Sequence, residues 1–141
     1  MPSINKLSKD DIIKLYSFVY EYETDIKQNV DHYNAKDNAL KLYLKNNKIF
    51  IGPMNEKSSK SNYFRCNMRY GKKASHADLC HHIFRHIRNS IAHGLFEKKR
   101  RYFILNDYHN TKTELKLSAT MKIEVKLFWS FIEELKKTYR A

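Results

Sequence analysis

The sequence is poor in the residues that interrupt regular structure, and it has little cysteine. It contains three glycines, two prolines and two cysteines among 141 residues. So few glycines and prolines leave few turn signals, which favours long helices over many short connected elements. Two cysteines are too few for a disulfide framework, and free thiols suit a reducing compartment.

Long apolar runs are also missing. A run such as Leu127–Trp129 is far too short to cross a bilayer, which takes about 20 apolar residues. The first residues of the chain, MPSINKLSKDDII, carry charge but no apolar signal core. We therefore expect a cytoplasmic protein without a membrane span.

Acidic residues are scarce relative to basic ones. The chain has 15 Asp and Glu against 27 Lys and Arg, a formal net charge of +12. This excess suggests an anionic partner, with nucleic acid as the first candidate. A basic protein whose lysines are spread over solvated faces would have the same net charge. A hydrophobic fraction of 42% argues against disorder, and the length allows one hydrophobic core. We expect a single domain, 1–141.

The most informative stretch runs from Ser75 to Gly94. Ser75 and Asp78 match a capping box, and Gly94 suits the left-handed residue that follows a last helical turn. Apolar residues recur between them at helical spacing: Leu79, Ile83, Phe84, Ile87 and Ile91. The other side gathers polar and cationic residues: His82, Arg85, His86, Asn89 and His93. Packing alone gives no reason for that collection, so we interpret this helix as the functional one.

Three more helices are predicted from apolar residues at helical spacing. They span Ser8 to about Val30, Lys36–Lys45 and Met121–Tyr139. Ser8 and Asp11 repeat the capping-box pattern at the start of the first of them. Together with the helix of the Ser75–Gly94 stretch they predict a mainly α-helical bundle of about four helices, with one β-hairpin inserted before the last helix.

The hairpin is predicted from two β-prone segments. Tyr102–Leu105 and Glu114–Leu117 flank a turn-rich connection, with Asp107 and His109 expected near its tip. Earlier in the chain, Lys48–Ile51 could form a short strand, which Gly52-Pro53 would follow as a turn.

Aromatic and basic residues alternate in two short segments, Tyr63–Arg65 and Met68–Tyr70. Aromatic rings between cations can stack on bases while the cations hold phosphates. Such residues are at least as often ordinary packing with cationic neighbours, so both interpretations stay open.

The segment Arg88-Asn89-Ser90-Ile91-Ala92-His93 places a histidine five positions after an arginine, at a helix end closed by Gly94. It resembles the Arg-x4–6-His motif of the HEPN superfamily, in the form with a polar residue after the arginine. The helix order, with a basic hairpin and a closing helix after the motif, is also similar to that of small stand-alone bacterial HEPN nucleases of plasmids and defence islands.

This resemblance implies a HEPN-like helical bundle and a metal-independent endoribonuclease, a toxin or a phage-defence enzyme, with no cofactor. It implies a homodimer whose two motifs face each other across the two-fold axis. Arg88 would bind and polarise the phosphate, His93 would exchange protons with the 2′-hydroxyl or the leaving oxygen, and Asn89 would orient them. A neutralising partner, often a nucleotidyltransferase-like antitoxin, is implied by analogy.

The residue types suit this chemistry without the family. Transesterification of RNA needs a base, an acid and positive charge for the phosphorane. Histidine titrates near neutral pH, and arginine offers a fixed fork of donors to phosphate. Five residues turn an ideal helix by about 140°, so Arg88 and His93 do not share a stripe of one helix. Two antiparallel copies could supply both groups to one phosphate.

Further cationic residues are candidates for binding the RNA backbone: His82, Arg85, His86, Lys98, Lys99, Arg100 and Arg101. His82 with His86, and His76 with Cys80, have an i, i+4 spacing that can hold zinc. Two histidines and a cysteine without a carboxylate form an incomplete ligand set, and no metal site is assigned.

Two other functions fit parts of the sequence. A non-catalytic HEPN-like module could bind RNA or a protein through the same groove, although a pure binder has no need of His93. A DNA-binding regulator would suit the charge, but the sequence lacks helix-turn-helix spacing with a short glycine turn.

Overall fold

The computed structural model describes residues 7–57, 59–67 and 76–140. The helices in these ranges are α1 (Lys9–Thr24), a 3-10 helix (Ile26–His32), α2 (Asn38–Asn46), α3 (His76–Ala92) and α4 (Val125–Lys136). The strands are β1 (Ile49–Pro53), β2 (Asn62–Cys66), β3 (Phe96–Lys99), β4 (Tyr102–Asn110) and β5 (Leu115–Glu124). They form one sheet in the order β1-β2-β5-β4-β3, in which only the β1–β2 pair is parallel.

This α/β architecture shows that the predicted mainly α-helical bundle is wrong. The four helices and the β4–β5 hairpin exist, but a five-stranded mixed sheet joins them. The prediction missed β2 and β3 altogether, and each of them is only four or five residues long. So short a segment pairs through non-local contacts that leave little trace in the local sequence.

The last helix begins later than predicted. Met121 stands four residues before Val125, which is a helical spacing, but Met121 and Ile123 also alternate with polar neighbours as in a strand. Met121 pairs with Phe64 on one side and Leu105 on the other. The two cross-strand pairings keep this segment in β5, and α4 starts at Val125.

The first helix has the predicted start and an earlier end. Ser8 Oγ accepts a hydrogen bond from the Asp11 backbone N–H at 3.0 Å, and the Asp11 carboxylate accepts one from the Ser8 N–H at 3.1 Å. This confirms the capping box. The α-helix ends at Thr24, where Asp25 takes a non-helical conformation and a 3-10 helix follows. The second predicted cap, at Ser75 and Asp78, lies outside the described residues.

Gly52 and Pro53 end strand β1 instead of forming the predicted turn. β1 is an edge strand, where a proline without an N–H is tolerated. The Phe50 ring lies against Gly52, since a Cβ atom built there would come within 2.5 Å of the ring. A larger residue at position 52 would push the Phe50 ring aside.

The described helices lie on one face of the sheet. The Phe103 ring of β4 meets the Phe128 ring of α4 at 5.2 Å, and His86 of α3 contacts Asp107 of β4. α1 packs on α3, and α2 is joined to α4 by the Tyr43 hydroxyl. None of these helices is both long and apolar enough to span a membrane.

Candidate functional site

Helix α3 has the predicted apolar stripe. Its buried residues are Cys80, Ile83, Phe84, Ile87 and Ile91, all at most 4% exposed, and Leu79 is half-buried. On the polar side, Arg85 and Asn89 are half-buried and His93 is exposed, whereas His86 is only 2% exposed. Side chains that look alike in the sequence therefore occupy different environments.

The end of α3 fixes where His93 lies. Gly94 has φ of +71°, the Leu95 N–H donates to the Ser90 carbonyl at 2.8 Å, and the Gly94 N–H donates to the Ile91 carbonyl at 3.1 Å. These bonds form a Schellman motif in which His93 is the C-cap residue that directly follows α3. The His93 N–H also donates to the Asn89 carbonyl at 3.0 Å, so the exposed His93 follows Asn89 by one turn.

The guanidinium of Arg88 reaches towards the polar side of α3, which carries Asn89. Its Nη1 donates to Asn89 Oδ1 at 2.9 Å, and its Nε lies 2.9 Å from Glu23 Oε2 of helix α1. The Arg88 side chain is 31% exposed. In the described part of the chain no hydrogen bond joins Arg88 to His93, and Asn89 is the residue that links them. The sequence spacing predicts that Arg88 and His93 lie about 140° apart around the helix axis. The long side chain of Arg88 partly bridges this separation.

Asp107 anchors this group from the sheet. Its Oδ2 accepts a hydrogen bond from Asn89 Nδ2 at 3.2 Å and lies 2.7 Å from His86 Nδ1. It is 4% exposed and faces α3 from β4, so its predicted place near a hairpin tip is wrong. Sequence reasoning missed its role, although alternation with Phe103 and Leu105 at two-residue steps was a usable signal.

The environment sets the charge states of this cluster. Burial lowers the pKa of His86 from its ordinary value of 6.5, and the Arg85 charge adds to this effect, against the pull of Asp107. Burial raises the pKa of Asp107, but hydrogen bonds from His86 and Asn89 outweigh it and leave this pKa below 3.8. A neutral His86 then donates from Nδ1 to an ionised Asp107, and its Nε2 is left as an acceptor.

Arg85 lies on the acceptor side of His86. Its Nη2 is 3.5 Å from His86 Nε2 and 3.1 Å from His82 Nδ1. An open cavity of about 250 Å³ lies beside these groups. Its lining includes Arg85, His86, Asn89, Asp107, His109 and Ser118. The cavity extends from His86 and Asn89, which Asp107 anchors, to His109 of β4.

The predicted basic run lies on the β3–β4 hairpin, and its members point in different directions. Lys98 Nζ is 3.9 Å from Asp11 of helix α1, whereas Lys99 pairs with Tyr102 across the strands. Arg100, with φ of +57°, and Arg101 form the turn. Even so, Lys98, Arg100 and Arg101 line one open cavity of about 460 Å³ together with Glu124 and Lys126, and this cavity shares no lining residue with the one beside α3.

Three of the four residues with a spacing that could hold zinc make other contacts, and the side chain of the fourth, His76, lies outside the described part of the chain. His82 and His86 both contact Arg85, and Cys80 Sγ lies 3.9 Å from Thr138 Oγ1. Burial raises the pKa of Cys80 to about 11. Within the described residues, no three His, Cys, Asp or Glu side chains converge as a metal site would require.

The described geometry brings Arg88, Asn89 and His93 to one end of α3, with Asp107, His86 and Arg85 beside them. The resemblance to the HEPN superfamily depends on the motif itself, since the predicted bundle is replaced by an α/β fold. The chain matches no model of a known protein family, no curated protein and no solved structure.

Proposed function

We propose that the protein is a metal-independent endoribonuclease that cleaves RNA by attack of a 2′-hydroxyl on the adjacent phosphodiester. The observation that carries this proposal is the hydrogen-bond chain from Asp107 through Asn89 to Arg88. These hydrogen bonds hold the Arg88 guanidinium beside the polar side of α3, at the end where His93 is exposed. A fixed cation next to an accessible imidazole is what phosphodiester cleavage needs.

Each residue has a role that follows from its contacts. Arg88 uses Nε towards Glu23 and Nη1 towards Asn89, which leaves Nη2 for a phosphate oxygen. His93 exchanges protons with the substrate, because it is the exposed titratable group at this end of the helix. Asn89 and Asp107 are positioning residues, which act through Arg88.

The cavity beside the site is the path for the neighbouring nucleotides. Arg85 supplies positive charge there, and the Asp107–His86 pair fixes the acceptor nitrogen that faces Arg85. Loss of Arg85 should therefore weaken RNA binding and flatten its salt dependence more than it slows the chemical step.

The acting unit in this proposal is a homodimer. One His93 would take the proton from the 2′-hydroxyl while its twin gives a proton to the leaving 5′-oxygen, a division that one imidazole cannot make in a single step. The exposure of His93 at a helix end leaves it accessible to a second copy. We also propose a cytoplasmic toxin or defence role, which the two free thiols suit, with an antitoxin as restraint.

The test is cleavage of total RNA by the purified protein in the presence of a chelator, with His93→Ala beside it. The expected result is RNA fragments with 2′,3′-cyclic phosphate ends from the parent chain and none above background from the variant. Equal cleavage by both proteins would refute the assignment of His93. Cleavage only after a divalent ion is added would refute metal independence.

A non-catalytic RNA-binding module is the second candidate, favoured by the Arg88–Glu23 ion pair. The Glu23 carboxylate holds one edge of the Arg88 guanidinium and competes with a scissile phosphate there, whereas Arg85 and the basic hairpin can still bind an RNA backbone. Expression in cells separates the two functions, because a nuclease arrests growth and His93→Ala relieves the arrest. A binder gives the same growth with either protein.

A further inference from the structure

The sheet face opposite the helices carries no helix in the part of the chain that the structure describes, and the segment that follows β1 reaches its edge, where the Met54 carbonyl accepts a hydrogen bond from Arg65 Nη1 at 3.3 Å. Along β4, Phe103 and Leu105 are buried against the helices, while Tyr102 and Ile104 point the other way and are only half-buried. β2 alternates in the same manner, with Tyr63 and Arg65 half-buried. We call this surface the open face.

The strand register places its side chains in rows. One row crosses all five strands: Phe50, Tyr63, Lys122, Ile104 and Glu97. The next row contains Glu124, Tyr102 and Lys99. Paired residues share a face of the sheet, so two tyrosines lie among cations on this surface.

Each tyrosine ring has a cation over it. Lys122 Nζ lies 4.6 Å from the centre of the Tyr102 ring, and Arg65 Cζ lies 4.9 Å from that of Tyr63. Arg101 adds a second cation at 5.4 Å from the Tyr102 ring. All three distances are within the range of cation–π contacts. A base stacks on such a ring when the cation over it moves aside to meet the adjoining phosphate.

The acidic residues of the open face do not cancel these cations. Glu124 accepts a hydrogen bond from Asn62 at 3.3 Å and lies 3.7 Å from Lys126, so its charge is already shared. Glu97 lies at the end of its row, on edge strand β3. The middle of the face, around Tyr63, Lys122 and Tyr102, is therefore cationic and aromatic.

We propose that the open face binds single-stranded RNA, with bases stacked on Tyr63 and Tyr102 and phosphates held by Arg65, Lys122 and Arg101. The surface is separate from the α3 site, since Asp107 faces the helices from the other side of the sheet. The proposed nuclease function serves only to name the nucleic acid, and binding here does not require cleavage.

The spacing of the two rings favours a single strand over a duplex. Tyr63 and Tyr102 are separated by two strand spacings and two residues along the strand, which is about 12 Å for ordinary sheet dimensions. Stacked bases in a duplex follow one another at about 3.4 Å. Bases that reach both rings must be unstacked from their neighbours, and a single strand can provide them.

The test measures the binding of a fluorescein-labelled, 12-nucleotide 2′-O-methyl RNA by fluorescence anisotropy. The 2′-O-methyl groups block cleavage, so binding is observed alone. Tyr63→Ala and Tyr102→Ala should each weaken binding by about five-fold to a hundred-fold, as expected for the loss of one stacked base. Tyr63→Phe and Tyr102→Phe keep the rings and should bind within about two-fold of the parent. Urea unfolding of the alanine variants shows whether they are folded at the temperature of the binding measurement.

Matched controls come from helix α1. Tyr16 and Tyr20 are 57% and 71% exposed and lie away from the sheet, so Tyr16→Ala and Tyr20→Ala should leave binding unchanged. Lys122→Ala should lower the slope of log affinity against log salt by about 0.7, the value for one phosphate contact on a single strand.

The proposal is overturned if both tyrosine-to-alanine variants bind as the parent does, if the phenylalanine variants lose as much as the alanine variants, or if a duplex of the same length binds as tightly. A parent chain that binds this RNA through the tyrosines but never cleaves unmodified RNA would support the open face and refute the proposed nuclease. A chain that cleaves RNA with unaltered rates and affinity in the tyrosine variants would do the reverse.

Discussion

His86 and His93 lie on the same side of the same helix, two turns apart, and have opposite environments. His86 is 2% exposed, is held by Asp107 at 2.7 Å and has a lowered pKa, so it is neutral near pH 7. His93 is exposed at the C-cap of α3. The difference shows that sequence position on a helix does not distinguish a histidine that holds a site together from one that can reach a substrate.

The largest expected effect is on catalysis at the exposed histidine. His93→Ala should reduce RNA cleavage by about 10²- to 10⁴-fold, the usual contribution of a general acid or base. Because His93 is exposed, the thermal midpoint of unfolding should change by less than about 2 °C. His32→Ala, at an exposed histidine of the 3-10 helix, is the control and should cleave as the parent does. Slow cleavage by both variants would point to a general effect of losing histidines.

The next effect concerns the anchor behind the site. Asp107→Asn keeps the shape but weakens the bonds to His86 and Asn89, which should lower the free energy of unfolding by about 1–3 kcal/mol, as for an unsatisfied buried polar group. Cleavage should also fall by about 10-fold, because Asn89 no longer orients Arg88. Urea unfolding and single-turnover cleavage measure the two quantities. Unchanged cleavage in a destabilised variant would show that Asp107 serves the fold alone.

The pH dependence of stability should separate the two histidines. A His86 pKa below that of the unfolded chain means that the unfolded state binds more protons in acid. Stability should therefore fall as the pH drops below about 6.5, and further below 3.8, where the lowered pKa of Asp107 acts in the same direction. His86→Gln should remove the first loss and His93→Gln should not. Urea midpoints between pH 5 and 8 decide this, and equal slopes in both variants would contradict it.

A smaller effect is expected at the residue that ends α3. Gly94→Ala should cost about 1–2 kcal/mol, because an alanine at φ of +71° is strained even though its Cβ would meet no atom within 4 Å. Gly94→Asn should cost less, since asparagine visits this conformation more easily. Urea unfolding measures both. Equal stability of all three proteins would show that the turn can relax without its left-handed residue.

The sequence predicts the local parts of this molecule well. The stripe of α3, the Ser8 cap and the glycine that ends α3 depend on residues within a few positions of one another, and the structure confirms them. The sheet depends on pairings between residues far apart in the sequence, such as Tyr63 with Lys122. The local periodicity of apolar residues does not reveal such pairings. Met121 shows the conflict directly, because it satisfies the helical and the strand spacing at once.

The candidate site also has a part that the sequence predicts and a part that it does not. Arg88, Asn89 and His93 are adjacent on one helix, so their spacing could be read from the sequence. The sequence assigns Asp107 to a loop, because an aspartate in a turn-rich segment is typical of one, and its alternation with Phe103 and Leu105 is a weaker signal. The pairing of β4 with β5, in which Asp107 lies opposite Ala119, places this aspartate in the interior, where it faces α3.

Strand β5 has a consequence for how the chain is made. It lies in the middle of the sheet, between β2 and β4, yet it follows the other four described strands along the chain. The β1–β2 pair cannot join the rest until residues 115–124 have been synthesised, and pairings over such distances form slowly. A nascent chain therefore carries the Arg88–His93 segment before the described sheet behind helix α3 is complete.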